Sequence, residues 1–189
     1  MEKDKETKYF ENRIHWREWL LENHEQSENL WVQFYKVSSP EPSMRWEEAV
    51  QEALCFGWID GRKKTLDNKS YIQLFSKRKA KSTWSRINKV SVENLIASGQ
   101  MTEAGLAVIE RAKKNGSWTI LDSVENLEVP KLLEVEFEKN SNAKDFYNNL
   151  SRSNKKILLS WIVLAKRDET KATRIKKIVE KASEGKLPF

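Results

Sequence analysis

Cysteine, histidine, glycine and proline are all scarce: among 189 residues there are one Cys, two His, six Gly and four Pro. A lone cysteine, Cys55, excludes an internal disulfide. The charged opening, Met1 to Lys8, lacks the apolar run of a secretory signal, so the chain is expected in the cytoplasm. His15 and His24 are the only imidazoles and no Cys/His cluster accompanies them, so the usual zinc site is not expected and no metal ligand is assigned. Too few glycines at the wrong spacing exclude a P-loop and a dinucleotide fingerprint, and no cofactor is expected. Scarce Gly and Pro also exclude collagen and low-complexity disorder. No stretch approaches the roughly 20 apolar residues of a membrane helix.

Aromatics and positive charge are what the chain has. Eight Trp, seven Phe and four Tyr supply a core, since each buried aromatic removes about 150–250 Å² from water. The net charge is +6, which favours anionic partners. Its distribution says more than its sum. Arg62 to Lys81 holds eight basic residues against the single acid Asp67, and Arg152 to Lys186 holds eleven against four acids, a local balance of +7 in each. The remainder of the chain is acidic.

Hydrophobic spacing orders the chain into elements. The first eight residues are expected to fray. Trp16, Trp19 and Leu20 recur at helical spacing behind Asn12, a candidate N-cap, and that helix should end near His24. Residues 30–36, aromatic and β-branched, predict a strand. A helix follows Ser43, with Glu47 near its reciprocal capping position; it carries Trp46, Ala49, Val50, Ala53 and Leu54, and Gly57 terminates it. Residues 58–66 and 70–75, around Asp67-Asn68-Lys69, predict a β-hairpin. Ser82 is read as the cap of a helix bearing Trp84, Ile87, Leu95 and Ile96, and Thr102 as the cap of another closed near Gly116. Pro130 is placed in the first turn of a further helix. Stripes around Phe146, Trp161 and Ile175 predict three more. The expectation is an α+β fold, predominantly helical, about seven helices with a small antiparallel sheet formed by hairpin 58–75 and strand 30–36. Two domains are expected, an α+β core over 9–116 and a helical module over 130–189.

One constellation could carry chemistry. Gly57-Trp58-Ile59-Asp60-Gly61 with Arg62 is followed by Arg78, then by Ser82-Thr83-Trp84-Ser85 and Asn88. A helix opening at Ser82 would offer N–H donors and a positive dipole end to an anion. Arg62 or Arg78 would supply a planar fork for phosphate or carboxylate, and Trp58 or Trp84 a stacking face. The structural alternative is that Asp60 pairs internally with an arginine, both indoles belong to the core, and Ser82 is an ordinary cap. Cys55, beside a buried helix face, reads as a core thiol.

Three ordered blocks resemble a known family: Ala53-Leu54-Cys55-Phe56-Gly57-Trp58-Ile59-Asp60-Gly61, Ser82-Thr83-Trp84-Ser85-Arg86-Ile87-Asn88, and Gly99-Gln100-Met101-Thr102-Glu103-Ala104-Gly105. Together with Trp161-Ile162, Ala165-Lys166-Arg167 and Glu169 to Ile175, they are similar to the YdeI/OmpD-associated, or bacteriocin-protection, proteins. The resemblance implies a role in protection against bacteriocins or envelope-active peptides and an association with an outer-membrane porin; it carries over no catalytic residue. The expected function is a non-enzymatic cytoplasmic binding protein in stress or bacteriocin protection. Its basic cleft, formed by Trp58, Asp60, Arg62, Arg78, Ser82, Trp84, Ser85 and Asn88, would take an anionic ligand, either a phosphate-containing small molecule or nucleic acid. One alternative is an enzyme of unknown reaction centred on Asp60, Arg78 and Ser85. The other is an interaction module whose basic C-terminal helices engage a protein partner.

Overall fold

The computed structural model describes residues 7–189. It divides into two compact units, one running up to Ser82 and resuming over Ile87–Gly116, the other made of Thr83–Arg86 with Ser117–Phe189.

The first unit begins with strand β1 (Thr7–Tyr9) and helix α1 (Arg13–Asn23). Asn12 caps α1 as its spacing suggests, its side-chain oxygen accepting from the N–H groups of Ile14 and His15 at 3.0 and 3.1 Å. Strand β2 (Asn29–Tyr35) and helix α2 (Trp46–Cys55) follow, then the hairpin β3 (Trp58–Thr65) and β4 (Ser70–Lys77). The four strands make one sheet in the order β1-β2-β4-β3. β2–β4 and β4–β3 are antiparallel, but β1 runs parallel to β2, with Thr7 opposite Trp31. The sheet is therefore mixed rather than purely antiparallel. Thr7 and Lys8, expected to fray, belong to its edge strand; the rest of the charged start, Met1–Glu6, lies outside the described residues.

Alternation along the strands sends Val32 and Phe34 of β2 and Tyr71, Gln73 and Phe75 of β4 to one face. α1 and α2 cover it. The Trp16 and Phe75 rings meet at 5.4 Å between centroids, and the Trp16 indole N–H donates to the Ala49 carbonyl at 3.1 Å, tying α1 to α2. A second tie is ionic: Glu52, buried on α2, accepts from Arg13 and from Arg17, the latter at 2.6 Å. At Gly57 the chain turns out of α2 with φ +72°, a left-handed conformation that favours glycine, and enters β3.

Helices α3 (Arg86–Ala97) and α4 (Glu103–Lys114) complete this part of the chain. Ser82 does not cap α3. It lies four residues ahead of the helix, in a turn where its N–H donates to the Lys79 carbonyl at 2.9 Å. Trp84 precedes the helix as well, and the buried side of α3 is Val92 and Leu95, with Ile87 and Ile96 exposed. Thr102 caps α4 as expected, accepting from Gly105 N–H at 3.4 Å.

The second unit is helical: α5 (Asp122–Glu125), α6 (Lys131–Glu138), α7 (Ser141–Asn149), α8 (Arg152–Val163) and α9 (Asp168–Ser183). Nine helices are thus present among the described residues, where seven are predicted. Pro130 is the N-cap of α6 rather than part of its first turn, which suits a residue whose missing N–H leaves the helical ladder intact from Lys131 on. Leu133, Phe137, Tyr147, Leu158, Ile162 and Ile178 pack into a core of its own. Among the described residues no helix is long and apolar enough to cross a membrane.

Candidate functional site

A cavity of about 530 Å³ opens in the first unit where the helix-covered face of the sheet meets the start of α2. Asp60 from β3 and Tyr71 and Gln73 from β4 form its sheet side. Met44, Arg45, Trp46 and Glu47, at the α2 N-terminus, form the wall across from them, and Tyr35, Lys36 and Val37 close the β2 end.

Local irregularity places Asp60 there. The β3–β4 register shifts between Asp60, paired with Phe75, and Lys63, paired with Gln73, so two residues of β3, Gly61 and Arg62, stand opposite the single residue Leu74 of β4. Such a bulge bends the strand and re-aims its side chains. Both Asp60 and Lys63 consequently reach the cavity face, with Gly61 and Arg62 bulged out between them. Gln73 secures the irregularity: its buried side-chain N–H donates to the Gly61 carbonyl at 2.5 Å and approaches the Asp60 carboxylate at 3.4 Å.

Burial pushes the Asp60 carboxyl above the usual carboxylate range. A hydrogen bond from the Trp46 side chain, one from its own backbone and the positive charge of Arg78 each pull it back. Arg78 is itself buried, and its guanidinium is lowered to about 10 by that burial, with the Asp60 charge opposing the shift. The two groups therefore share one partly dry electrostatic environment. Arg78 is further anchored through its backbone N–H, which donates to the Gly57 carbonyl at 2.9 Å.

Three cations line the same cavity. Arg45 stands at the head of α2, Lys63 lies 3.7 Å from the centroid of the Tyr71 ring, and Lys36 donates to the Asn68 carbonyl at 3.0 Å. The positive end of the α2 dipole adds to them. Against these stand Asp60 and Glu47. Tyr71 is backed by Phe34, stacked at 5.3 Å, so it is a rigid wall. Chemically, the cavity can hold an anion at its rim while Asp60 accepts, and Gln73 backs, a hydrogen bond at its floor.

Of the residues singled out from sequence, Asp60 lines this cavity and Arg78 acts on it electrostatically. Arg62 is exposed on β3. Trp58 is fully buried, its ring edge-on to Trp16 and Trp19 at 6.5 and 5.8 Å and its indole N–H donating to the His24 carbonyl at 3.3 Å. Trp84 is buried against Trp118 at 4.8 Å. Both indoles are core side chains, so neither offers the stacking face expected of it. Ser82, without a helix behind it, loses the dipole and amide donors predicted for it. Trp84 and Ser85 belong to the second unit; Asn88 lies on α3 in the first. Gln73, Arg45, Trp46, Lys63 and Tyr71 were not anticipated. A signal for Gln73 exists in the sequence: in Tyr71-Ile72-Gln73-Leu74-Phe75 a polar amide holds a position that alternation assigns to the inward face. Among the described residues no group of three or more His, Cys, Asp or Glu is placed to hold a metal ion.

Two family models match the chain. One, described as a domain of unknown function (DUF8412), matches residues 8–108. The other, described as Bacteriocin-protection, YdeI or OmpD-Associated, matches residues 126–185. No curated protein and no solved structure matches the chain.

Proposed function

The chain belongs to the family described as a domain of unknown function (DUF8412), matched over residues 8–108, and from that premise we propose that it is a non-enzymatic binding protein whose cavity takes a small anionic ligand. The observation that carries this reading is the gathering of Lys36, Arg45 and Lys63 around a cavity of about 530 Å³ that also presents Asp60 and Gln73. The volume suits a small molecule. An anionic group would meet Arg45 and Lys63 beside the start of α2, where helix dipole and side-chain charge have the same sign. A ring in the ligand would lie against Tyr71 or the partly exposed Trp46, and a donor on it would reach Asp60. The match over residues 126–185 to a model described as Bacteriocin-protection, YdeI or OmpD-Associated supports a setting in bacteriocin protection.

Calorimetric titration of the full chain with inorganic phosphate, benzoate and adenosine monophosphate tests the proposal. Saturable binding of at least one anion, weakened about tenfold by Arg45→Gln and by Lys63→Gln (about 1.4 kcal/mol), is the expected result. Flat heats with all three, or binding that both variants leave unchanged, would overturn it. Turnover of a bound anion that Asp60→Asn abolishes would replace it with the enzymatic alternative.

A further inference from the structure

The C-terminal motif around Trp161 plays no part in the cavity, and its surroundings suggest a separate role. Ile157, Trp161 and Leu164 fall at i, i+4 and i+7 along α8 and its C-cap, so they share one face. Trp161 is partly buried against the core, but its two neighbours on that face are open to solvent, Ile157 at 50% and Leu164 at 42% exposure. Phe189 extends it, meeting the Trp161 ring edge-on at 5.6 Å while remaining exposed itself. Arg174 and Lys177, one turn apart on α9, stand beside the same indole, with Arg174 Cζ 5.2 Å and Lys177 Nζ 5.9 Å from its ring centroid. An Arg174 N–H also donates to the Trp161 main-chain carbonyl, which fixes the guanidinium in place. Among the described residues of this unit, the salt bridges lie elsewhere, joining Lys139 to Glu136, Lys156 to Glu125, Lys171 to Asp168, and both Lys181 and Lys186 to Glu184. Exposed Lys166 and Arg167 add positive charge where α9 begins.

We propose that this face docks an acidic amphipathic helix of a partner protein. The apolar row runs from Ile157 in α8 to its C-cap Leu164, seven steps or about 10 Å at 1.5 Å per residue, which matches two turns of an opposing helix with side chains at i, i+3 or i+4, and i+7. The cations stand along the α9 side of the row, so the complementary helix carries Glu or Asp on one flank of its apolar stripe. Arg174, already held against an aromatic ring, gives up little freedom on forming a forked contact with a carboxylate. The surface and its ligand are independent of the cavity in the first unit.

The test uses ¹⁵N-labelled full-length protein and a synthetic 18-residue helix with Leu at i, i+3, i+4 and i+7 and Glu on the flanks. Its controls are the same composition with shuffled spacing, a Lys-for-Glu version, and phosphatidylglycerol vesicles. Shifts confined to amides near 157–164 and 170–178 are expected with the acidic helix alone. Lys177→Gln and Ile157→Ser, both surface changes that leave the core intact, are each expected to raise its Kd at least tenfold. Absence of binding, equal binding of the shuffled peptide, indifference to both substitutions, or association with the vesicles only would overturn the proposal.

Discussion

Gly105, in the first turn of α4, sits against the carbonyl of Cys55, the last residue of α2. A Cβ at Gly105 would overlap that oxygen and stand 2.5 Å from Met101 Sδ. The same carbonyl accepts from the Thr102 hydroxyl at 2.5 Å and from the Thr102 N–H at 3.2 Å, so the end of one helix and the start of the next are joined at a single backbone atom. Ala in place of Gly inside a helix is ordinarily favourable by about 0.5–1 kcal/mol. Here overpacking dominates, and Gly105→Ala is expected to destabilise the protein by about 1–3 kcal/mol in urea denaturation. A neutral or stabilising effect would show that the two helices are not in contact.

Glu52 is a buried carboxylate held by two guanidinium groups that are each about one-third exposed. Removing one partner of a buried pair costs about 3–5 kcal/mol when the other charge is left stranded in the interior. Arg13 and Arg17 can turn to water, so a loss below that range, about 2–3 kcal/mol, is expected for Glu52→Ala in the same assay. Arg13→Ala should cost less, because Arg17 still faces the carboxylate.

Acidity around Asp60 makes a signed prediction. Its carboxyl lies above the ordinary value of 3.8 in the folded protein, chiefly through burial. Below 3.8 both states hold the proton. As the pH climbs from there through the raised folded value, the unfolded chain releases its proton first, and wild type loses stability relative to Asp60→Asn. Urea midpoints of the two proteins between pH 3 and 7 should therefore diverge in favour of the amide as pH rises, then run parallel. Divergence in the opposite sense would mean that Arg78 and the hydrogen bonds outweigh burial.

Glu125 behaves oppositely. A hydrogen bond from Lys156 holds its carboxyl below the ordinary 4.5, with the Lys156 and Arg86 charges assisting. Its contribution is present above 4.5 and disappears as the pH falls through the lowered folded value. Lys156→Met should lower Tm at neutral pH, and the gap to wild type should shrink steadily on acidification. A gap independent of pH would assign the loss to packing of the lysine stem instead.

Legibility followed the range of the interactions concerned. Caps are local, so Asn12 and Thr102 announce their helices in sequence and perform as caps in the structure. The hairpin is likewise a matter of neighbouring residues. β1 is different: Thr-Lys-Tyr has no pattern of its own and becomes a strand only because β2 offers it an edge. Ser82 has the chemistry of a cap, yet the helix starts at Arg86, because Trp84 is packed against Trp118 from a distant part of the chain. For Trp58 and Trp84, an indole suited to stacking on a ligand is equally suited to a core, and spacing cannot distinguish the two.

Amino-acid order alone determined the helix-rich α+β character, the hairpin and the concentration of positive charge in two segments, since propensity, capping and hydrophobic period act over a few residues. Tertiary structure decided the parallel edge strand, the burial of both indoles and the meeting of Asp60 with Gln73 and Trp46. Each of those depends on a register shift or on contacts between elements far apart in the chain, and no short window of residues contains the energies that select them.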